Sequence, residues 1–450
     1  MDQTKKTVMF AGVAVVLALL AWLAAPSRIT PEAFVDQGSQ FFPEFTDPNE
    51  AMSLEIVRYN SETGAAQPFK VHFRNGRWTI PSHHDYPADA RDQLATTAAA
   101  IIEMARDDFR TDNPADFEAL GVIDPLDETS PAIEGRGTRV TVRGRNDVVL
   151  ADLIVGNEVP GRQGMRFVRL PDHKRVFAVQ TDVNLTARFS DWIKTDLLEV
   201  TKSKIDRVTI EDYSINERTR RVEERDRIRL TKADDGEWGI NRLGSGMTVD
   251  TTAVEKLLTT LDSLAIVGVR PKPEGVTKSL TQGAQISQSD LLSLQSKGFF
   301  VTQEGQLLSN EGELQVHTTD GVIYTLRFGE ILYGGGLALT AGTEGDESDA
   351  EQQESRYLFV TAQFDEGMFP EPPAPSDYSF RDKPDSLLTE TDRTNRELAR
   401  EHDRWQRQVE RGRELTERLN NRFGDWYYVI SADSFEKLRL ERQDLVMAKS

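Results

Sequence analysis

Several short stretches in the first third of the chain alternate between apolar and polar residues. Residues 53–59 and 69–73 alternate with a period of two, which predicts the two strands of a hairpin. Trp78 and Ile80 continue the alternation and predict a third strand. Between residues 88 and 104 the apolar positions recur at three- and four-residue spacing, which predicts an amphipathic helix. Further strands are predicted within residues 139–179.

The same order of elements returns in the second half. Strands are predicted at residues 205–210 and 226–231, then at Trp238 and Ile240, and an apolar stripe from residue 251 predicts a helix. Residues 313–361 repeat the later strands. The two copies share the motif Gly-x-Trp-x-Ile, which indicates an internal duplication with repeat 1 at residues 51–200 and repeat 2 at residues 201–450. Both tryptophans are predicted to be core residues, because a strand tryptophan buries a large apolar area.

A charged segment interrupts the second repeat. Arg188–Trp192 near the end of repeat 1 matches Arg422–Trp426 at four of five positions, but the second match comes late in the chain. Residues 386–421, rich in Glu and Arg at helical spacing, therefore predict a long helix inserted into repeat 2. A separate helical tail is the alternative. The acidic residues 342–355 are predicted to form a flexible loop.

The predicted inserted helix carries a broken apolar stripe. Two interpretations of this stripe stay open: it packs against its own domain, or it docks against a helix of another protein. On the second interpretation the candidate partner-binding residues are Leu398, Trp405, Val409, Leu415 and Leu419.

The N-terminus carries an apolar segment at residues 8–25, which is close to the shortest length that spans a bilayer. Lys5 and Lys6 precede it and acidic residues follow it, so residues 1–7 are predicted to be cytoplasmic and the rest exported. Residues 26–50 contain four prolines and predict an extended stalk. A cleaved signal peptide is the alternative. The expected location is the inner membrane, with one span and the bulk of the chain on the periplasmic side.

The amino-acid composition excludes several kinds of partner and reactive site. The net charge of −20 argues against nucleic acid or an anionic membrane surface as a partner. The chain has no cysteine, which removes disulfides and thiolate chemistry. His83-His84-Asp85 is predicted to be an exposed loop rather than a metal site, and residues 334–336 lack the Lys that a phosphate loop needs. No catalytic residue, cofactor or metal ligand is predicted.

The chain resembles a known family. The residues that carry the resemblance are Trp78-Thr79-Ile80-Pro81, Leu120-Gly121 with Pro125, the strand ending at Gly156, and Asp191-Trp192 with Leu197-Leu198. In this order they resemble the domain-of-unknown-function family 4340, over residues 50–200 and more loosely over 201–440. The resemblance implies a bacterial membrane-anchored protein that accompanies gliding-motility-type ABC transporter components, with no catalytic residues.

The sequence therefore predicts an α+β protein with a single N-terminal transmembrane helix. Two tandem mixed antiparallel sheet-plus-helix repeats follow, with a long charged helix inserted in the second. The expected function is that of a non-enzymatic accessory or scaffold subunit of a bacterial membrane complex. A periplasmic binding module for envelope glycans or peptides is the alternative, and no small-molecule substrate is identified.

Overall fold

The computed structural model describes residues 37–61, 63–181, 183–216, 218–219, 221–282, 286–333 and 354–449. The predicted anchor at residues 8–25 and nearly all of the acidic segment 342–355 lie outside them. Within the described residues, no helix has both the length and the apolar character needed to cross a bilayer. The described chain is a mixed α+β protein, as the sequence predicted.

The described residues of the first half form nine strands and two α-helices. The strands are β1 (Ser53–Asn60), β2 (Ala65–Arg74), β3 (Arg77–Ile80), β4 (Tyr86–Pro87), β5 (Asp108–Thr111), β6 (Thr138–Arg143), β7 (Val149–Glu158), β8 (Met165–Arg169) and β9 (Val176–Gln180). The helices are α1 (Arg91–Ile102) and α2 (Phe117–Leu120). The strands lie in one sheet in the order β4-β3-β2-β1-β6-β7-β8-β9-β5.

The second half adds twelve strands and five helices to the described residues. The strands are β10 (Ile205–Asn216), β11 (Arg221–Lys232), β12 (Trp238–Ile240), β13 (Met247–Val249), β14 (Gly268–Pro271), β15 (Phe299–Val301), β16 (Leu307–Ser309), β17 (Glu313–Thr318), β18 (Val322–Leu332), β19 (Ser355–Phe364), β20 (Trp426–Ser431) and β21 (Val446–Ala448). The helices are α3 (Thr251–Asp262), α4 (Val276–Gln282), α5 (Gln288–Gln295), α6 (Glu390–Phe423) and α7 (Ala432–Leu438).

The two large sheets share one strand order. The second sheet runs β12-β11-β10-β17-β18-β19-β20-β14, which corresponds strand for strand to β3-β2-β1-β6-β7-β8-β9-β5. By this correspondence the long helix α6 lies between the counterparts of β8 and β9, where the first sheet has only the short link 170–175. The repeat boundary at residue 200 stays a prediction.

The five-residue match that suggested the insertion does not mark equivalent positions. Phe189–Trp192 is a 3-10 turn that follows β9, whereas Phe423 ends α6 and Trp426 begins β20. By strand order β20 is the counterpart of β9 itself. The interpretation of Arg422–Trp426 as the end of the second repeat was therefore wrong, because a five-residue likeness is too short to fix a structural position.

The chain divides into two compact units. Unit 1 comprises the described residues up to Ala51, Val57–Ala66 and Ala95–Asn184. One of its apolar clusters forms where the short helix α2 covers the sheet, with Val122, Ile154 and Phe167 at its centre. The Arg169 guanidinium is buried beside it and donates to four backbone carbonyls, so it ties the surrounding loops together without a carboxylate partner.

Unit 2 comprises Met52–Ile56, Gln67–Leu94 and Leu185–Ser450. Helix α3 packs with the apolar stripe that its spacing predicted: Val254, Leu257, Leu258 and Leu261 are all buried. Asp250 caps this helix, and its carboxylate accepts from the backbone N–H groups of Thr252 and Ala253 at 2.9 and 3.1 Å.

The repeated tryptophans are not core residues. Trp78 and Trp238 are both only half-buried, whereas the fully buried tryptophan is Trp192. Strand β12 is the outermost strand of its sheet, and β3 has only the two-residue β4 beyond it. The prediction of two core tryptophans was wrong because strands this short near a sheet margin receive cover on one side only.

Candidate functional site

Helix α6 begins at a well-defined cap. The Thr389 hydroxyl accepts from the backbone N–H of Asp392 at 3.2 Å, and the Asp392 carboxylate accepts from the backbone N–H of Thr389 at 2.9 Å. Lys383 Nζ donates to both Asp392 carboxylate oxygens at 2.8 Å. The hydrogen bonds from Lys383 and Thr389 hold the pKa of Asp392 well below its usual range. The carboxylate is therefore charged at neutral pH and fixes the first turn.

One face of α6 packs against its own sheet. Its buried positions recur every three or four residues: Asp392, Asn395, Ala399, Val409, Gly412, Thr416, Leu419 and Phe423. Asn420 pairs with strand β19, because its side chain accepts from the Ala362 N–H at 3.0 Å and donates to the Ala362 carbonyl at 2.8 Å. At Gly412 the helix approaches so closely that an added Cβ would lie 2.9 Å from the Asp320 carbonyl oxygen.

The five residues of the predicted partner-binding stripe lie on or beside this inner face. Val409 and Leu419 are buried, and Leu398, Trp405 and Leu415 are half-buried. The Trp405 indole N–H donates to the Phe369 carbonyl at 2.9 Å, which holds the start of the proline-rich segment 370–375 against the helix. Partner binding by these five residues stays a prediction, and their placement favours packing within the chain.

The outer face of α6 has a different character. Arg393, Arg400, Arg404, Arg407, Arg411 and Arg418 are all exposed. At 3.6 residues per turn these six positions fall within one sector of about 60° and extend over about 38 Å. We call this surface the arginine stripe. The whole helix holds nine arginines and eight carboxylates, so its basic face comes from their arrangement and not from its composition.

Few of these arginines are neutralised within the described part of the chain. Two of the six lie within 4 Å of a carboxylate there: Arg404 from Glu401 at 3.9 Å and Arg418 from Glu199 at 3.7 Å. Arg400, Arg404, Arg407 and Arg411 follow one another at spacings of four, three and four. Like charges at this spacing destabilise a helix by about 0.2–0.5 kcal/mol per pair, or about 1 kcal/mol for the three pairs.

The C-terminal end of α6 rests on a buried lysine. Lys272 Nζ donates to the Phe423 carbonyl at 3.0 Å and lies 3.6 Å from the centre of the Phe359 ring. The Thr277 hydroxyl donates to the next carbonyl, that of Gly424, at 2.7 Å. Burial lowers the pKa of Lys272 well below its ordinary value. These donors satisfy carbonyls that a helix end leaves without intrahelical partners.

A pocket of about 520 Å³ opens beside the second repeated tryptophan. Val254 and Leu258 of α3 form its apolar wall, and Trp238 lines it. Its charged rim consists of Lys202, Lys232, Asp235, Glu237 and Glu255. We call it the Trp238 pocket. Lys202 and Glu255 pair with each other across the rim.

The two copies differ in the residue that lies opposite the tryptophan. In the β2–β3 ladder Trp78 lies opposite Phe73, and the two ring centres are 5.3 Å apart. In the β11–β12 ladder the residue opposite Trp238 is Lys232. Within the described residues Trp238 has no aromatic neighbour in ring contact. The cross-strand neighbour of the tryptophan is thus a phenylalanine in the first copy and a lysine in the second.

His83-His84-Asp85 do not converge on one point. His84 and Asp85 have positive φ angles of 57° and 59°, so the chain turns sharply here and sends His83 inward. His83 is 1% exposed and stacks on Phe189 at 4.4 Å. The prediction that both histidines are exposed was wrong for His83. The described residues hold no group of three or more His, Cys, Asp or Glu side chains that could bind a metal ion.

Comparison with known proteins gives one match. Residues 78–282 match the family model described as a domain of unknown function, DUF4340. No curated protein and no solved structure matches the chain. The matched segment runs from Trp78 in β3 to Gln282 at the end of α4, and so covers most of predicted repeat 1 and the start of predicted repeat 2. The family match over residues 78–282 confirms the resemblance to DUF4340 that the motifs predicted.

Proposed function

We propose that this protein is a non-enzymatic accessory or scaffold subunit of a bacterial membrane complex, and that it docks on a partner subunit through the arginine stripe. The observation that carries the proposal is the run Arg400–Arg404–Arg407–Arg411 on the outer face of α6. Carboxylates on neighbouring turns, such as Glu397, Asp403 and Glu410, offset part of the repulsion within this run, and an external contact would offset the rest. Carboxylates of a partner would supply that contact.

The chemistry of the partner follows from the rest of the chain. A net charge of −20 disfavours nucleic acid, because its dense and continuous negative charge is repelled far more strongly than a local cluster of carboxylates on a protein. A lipid surface binds helices that can bury an apolar face, and the apolar face of α6 packs on β19. An acidic surface of another protein is the partner that fits a straight stripe of guanidinium groups.

The proposal also places the protein in a cellular compartment, the periplasmic side of the inner membrane. The apolar segment at residues 8–25, outside the described residues, anchors the chain in the inner membrane and leaves both predicted repeats on the periplasmic side. The family resemblance implies that the partner complex is an ABC-type transporter. The absence of cysteine allows a direct test: in the variant Thr394→Cys the introduced thiol is the single one in the chain. A membrane-impermeant maleimide should label it in intact spheroplasts, and labelling that requires lysis would contradict the predicted orientation.

Docking is tested by site-specific photo-crosslinking in cells. A photoreactive amino acid at the exposed position Gln408 should cross-link to an acidic segment of a membrane-complex subunit, identified by mass spectrometry. The triple variant Arg400→Glu, Arg404→Glu, Arg407→Glu should abolish that cross-link. The control variant, in which three exposed arginines elsewhere are replaced by glutamate, has the same change in net charge and should preserve the cross-link. The control positions are Arg74, Arg110 and Arg145.

Two results would overturn the docking proposal. One is a cross-link that survives reversal of the three stripe arginines while the variant stays folded by circular dichroism. The other is a partner segment without a carboxylate cluster. Because charge pairs at a surface are screened by salt, the cross-link yield in isolated membranes should also fall as ionic strength rises from about 0.05 to about 0.5 M.

The alternative function, a binding module for envelope glycans or peptides, is favoured by one observation, the Trp238 pocket. The two functions do not compete for residues, since the arginine stripe and the pocket lie on different elements. One chain can therefore serve both, and each is tested independently of the other.

A further inference from the structure

We infer that the Trp238 pocket is a binding site for a neutral saccharide, which stacks a sugar ring on the Trp238 indole. The pocket volume of about 520 Å³ lies within the range of small-molecule sites. Its lining combines an aromatic ring, an apolar wall and charged hydrogen-bonding groups. A sugar ring presents the matching surfaces, with a C–H face on one side and hydroxyl groups around the edge.

The polar groups of the pocket are available to a ligand. The Trp238 indole N–H and the Lys232 amino group form no hydrogen bond or ion pair with any described residue. Glu237 is exposed, and Asp235 uses one carboxylate oxygen to accept from the Glu237 backbone N–H at 3.0 Å. The rim therefore offers N–H donors and carboxylate acceptors side by side, which is the combination that binds hydroxyl groups, since each hydroxyl both donates and accepts.

The charges on the rim of the Trp238 pocket indicate which class of ligand it binds. The rim carries two lysines and three carboxylates, and one lysine is already paired with Glu255. This nearly neutral set gives no field that would retain a phosphate or another strong anion. A peptide that adds as a strand would need a long free edge, and β12 has only three residues. A neutral polyhydroxylated ring remains as the class that uses the indole and both kinds of polar group.

The two copies differ at the residue that faces the tryptophan. Trp78 and Trp238 occupy corresponding positions of their sheets, but Phe73 contacts the first ring and Lys232 lies opposite the second. Both tryptophans are half-buried, and Phe73, which is 41% exposed, covers part of the first indole. A lysine in the same place adds a donor at the rim of the Trp238 pocket. The first copy therefore supplies a natural reference for a tryptophan with an aromatic neighbour.

The test uses the purified full chain in a mild non-ionic detergent. Three probes are titrated by isothermal calorimetry and by saturation-transfer NMR, at concentrations up to about 10 mM: maltotriose, cellotriose and the N-acetylglucosamine trimer. At least one should bind, with saturation transfer strongest at the sugar C–H protons. Trp238→Ala should weaken binding by at least about tenfold, because truncation of an aromatic anchor removes the stacking surface.

Two further variants make the result specific. Trp78→Ala removes the corresponding tryptophan of the first copy and should leave binding unchanged. Lys232→Phe places a phenyl group against Trp238, as Phe73 stands against Trp78, and should abolish binding while the protein stays folded, judged by an unchanged circular dichroism spectrum. The inference is overturned when none of the three probes binds, when Trp78→Ala weakens binding as much as Trp238→Ala, or when Lys232→Phe still binds. These outcomes leave the docking proposal for α6 unaffected.

Discussion

The buried histidine His83 makes the stability of unit 2 depend on pH in a calculable way. Its ring is 1% exposed and stacks nearly parallel to Phe189, with 4.4 Å between ring centres. Its Nδ1 is 3.0 Å from the Ser82 hydroxyl, while Nε2 is buried without a hydrogen-bond partner in the described chain. Burial, followed by the positive charges of His84 and Arg270, lowers the pKa of His83 from 6.5 to about 4. The folded protein thus keeps this ring neutral.

The direction of the pH effect follows from the two pKa values. The unfolded chain takes up a proton at His83 near pH 6.5, whereas the folded chain does so only near pH 4. The stability contributed by the neutral ring is therefore fully present above pH 6.5 and is lost as the pH falls from 6.5 toward 4. The difference in proton binding amounts to about 2 kcal/mol of unfolding free energy between about pH 7.5 and about pH 5.

The variant His83→Phe isolates this contribution. Phenylalanine keeps an aromatic ring against Phe189 but binds no proton. We expect the unfolding free energy of the wild type to fall by about 2 kcal/mol more than that of the variant between these pH values. All other ionisable groups are common to both proteins and cancel in the difference. Urea unfolding of the full chain in non-ionic detergent, followed by circular dichroism at each pH, measures it.

The result can refute the reasoning in two ways. Equal pH dependence in wild type and His83→Phe, within about 0.5 kcal/mol, would show that His83 is protonated as readily in the folded as in the unfolded chain. A wild type that gains stability relative to the variant on acidification would show that a carboxylate stabilises the charged ring. The neighbouring control Ser82→Ala removes the Nδ1 contact without a titrating group and should leave the pH dependence in place.

Three further predictions concern backbone and helix geometry, and urea unfolding measures each. Gly412→Ala should lower the unfolding free energy by about 1 kcal/mol, because the clash of the new methyl with a phenyl ring and a carbonyl outweighs the gain in helix propensity. The control Gln408→Ala, at an exposed position of the same helix, should change it by less than about 0.5 kcal/mol. Asp250→Ala removes the cap of α3 and should lower it by about 1 kcal/mol. Gly298→Ala should lower the unfolding free energy by about 2 kcal/mol, because φ is +81° there and the new Cβ would lie 2.6 Å from a backbone nitrogen. Gly236→Ala should lower it by about 1 kcal/mol, because φ is +91° but the space around the residue is open. Equal losses at the two glycines, or a gain at Gly412, would contradict these assignments.

Much of the fold could be predicted from local patterns. Alternation identified most strands of both sheets, although β4, β5, β14 and β20 were not predicted. The spacing in residues 251–264 identified the buried stripe of α3. The helix α6 was predicted at residues 386–421 and lies at Glu390–Phe423, because a long run of Glu and Arg at helical spacing has no competing interpretation as a strand. These features depend on residues that are close in sequence.

The candidate sites depend on residues that are far apart in sequence, and the pattern alone did not reveal them. The pocket requires the register that sets Lys232 opposite Trp238 and the packing of α3 beside it. The burial of His83 requires Phe189, more than one hundred residues away. One clue was available: the residue two positions before the turn is apolar at Phe73 and charged at Lys232, although the motif after the turn is repeated.

The two features on which the proposed binding surfaces depend both lie in the second copy. In the first sheet β8 and β9 are joined by residues 170–175, and Phe73 covers the tryptophan. In the second sheet residues 365–425 take the place of that link and supply α6, and Lys232 takes the place of the phenylalanine. Experiments should therefore distinguish variants that affect binding from variants that affect stability. Charge reversal on α6 and Trp238→Ala should alter binding with little change in the unfolding free energy. Truncation of Phe73 should lower the unfolding free energy and leave both binding surfaces in place.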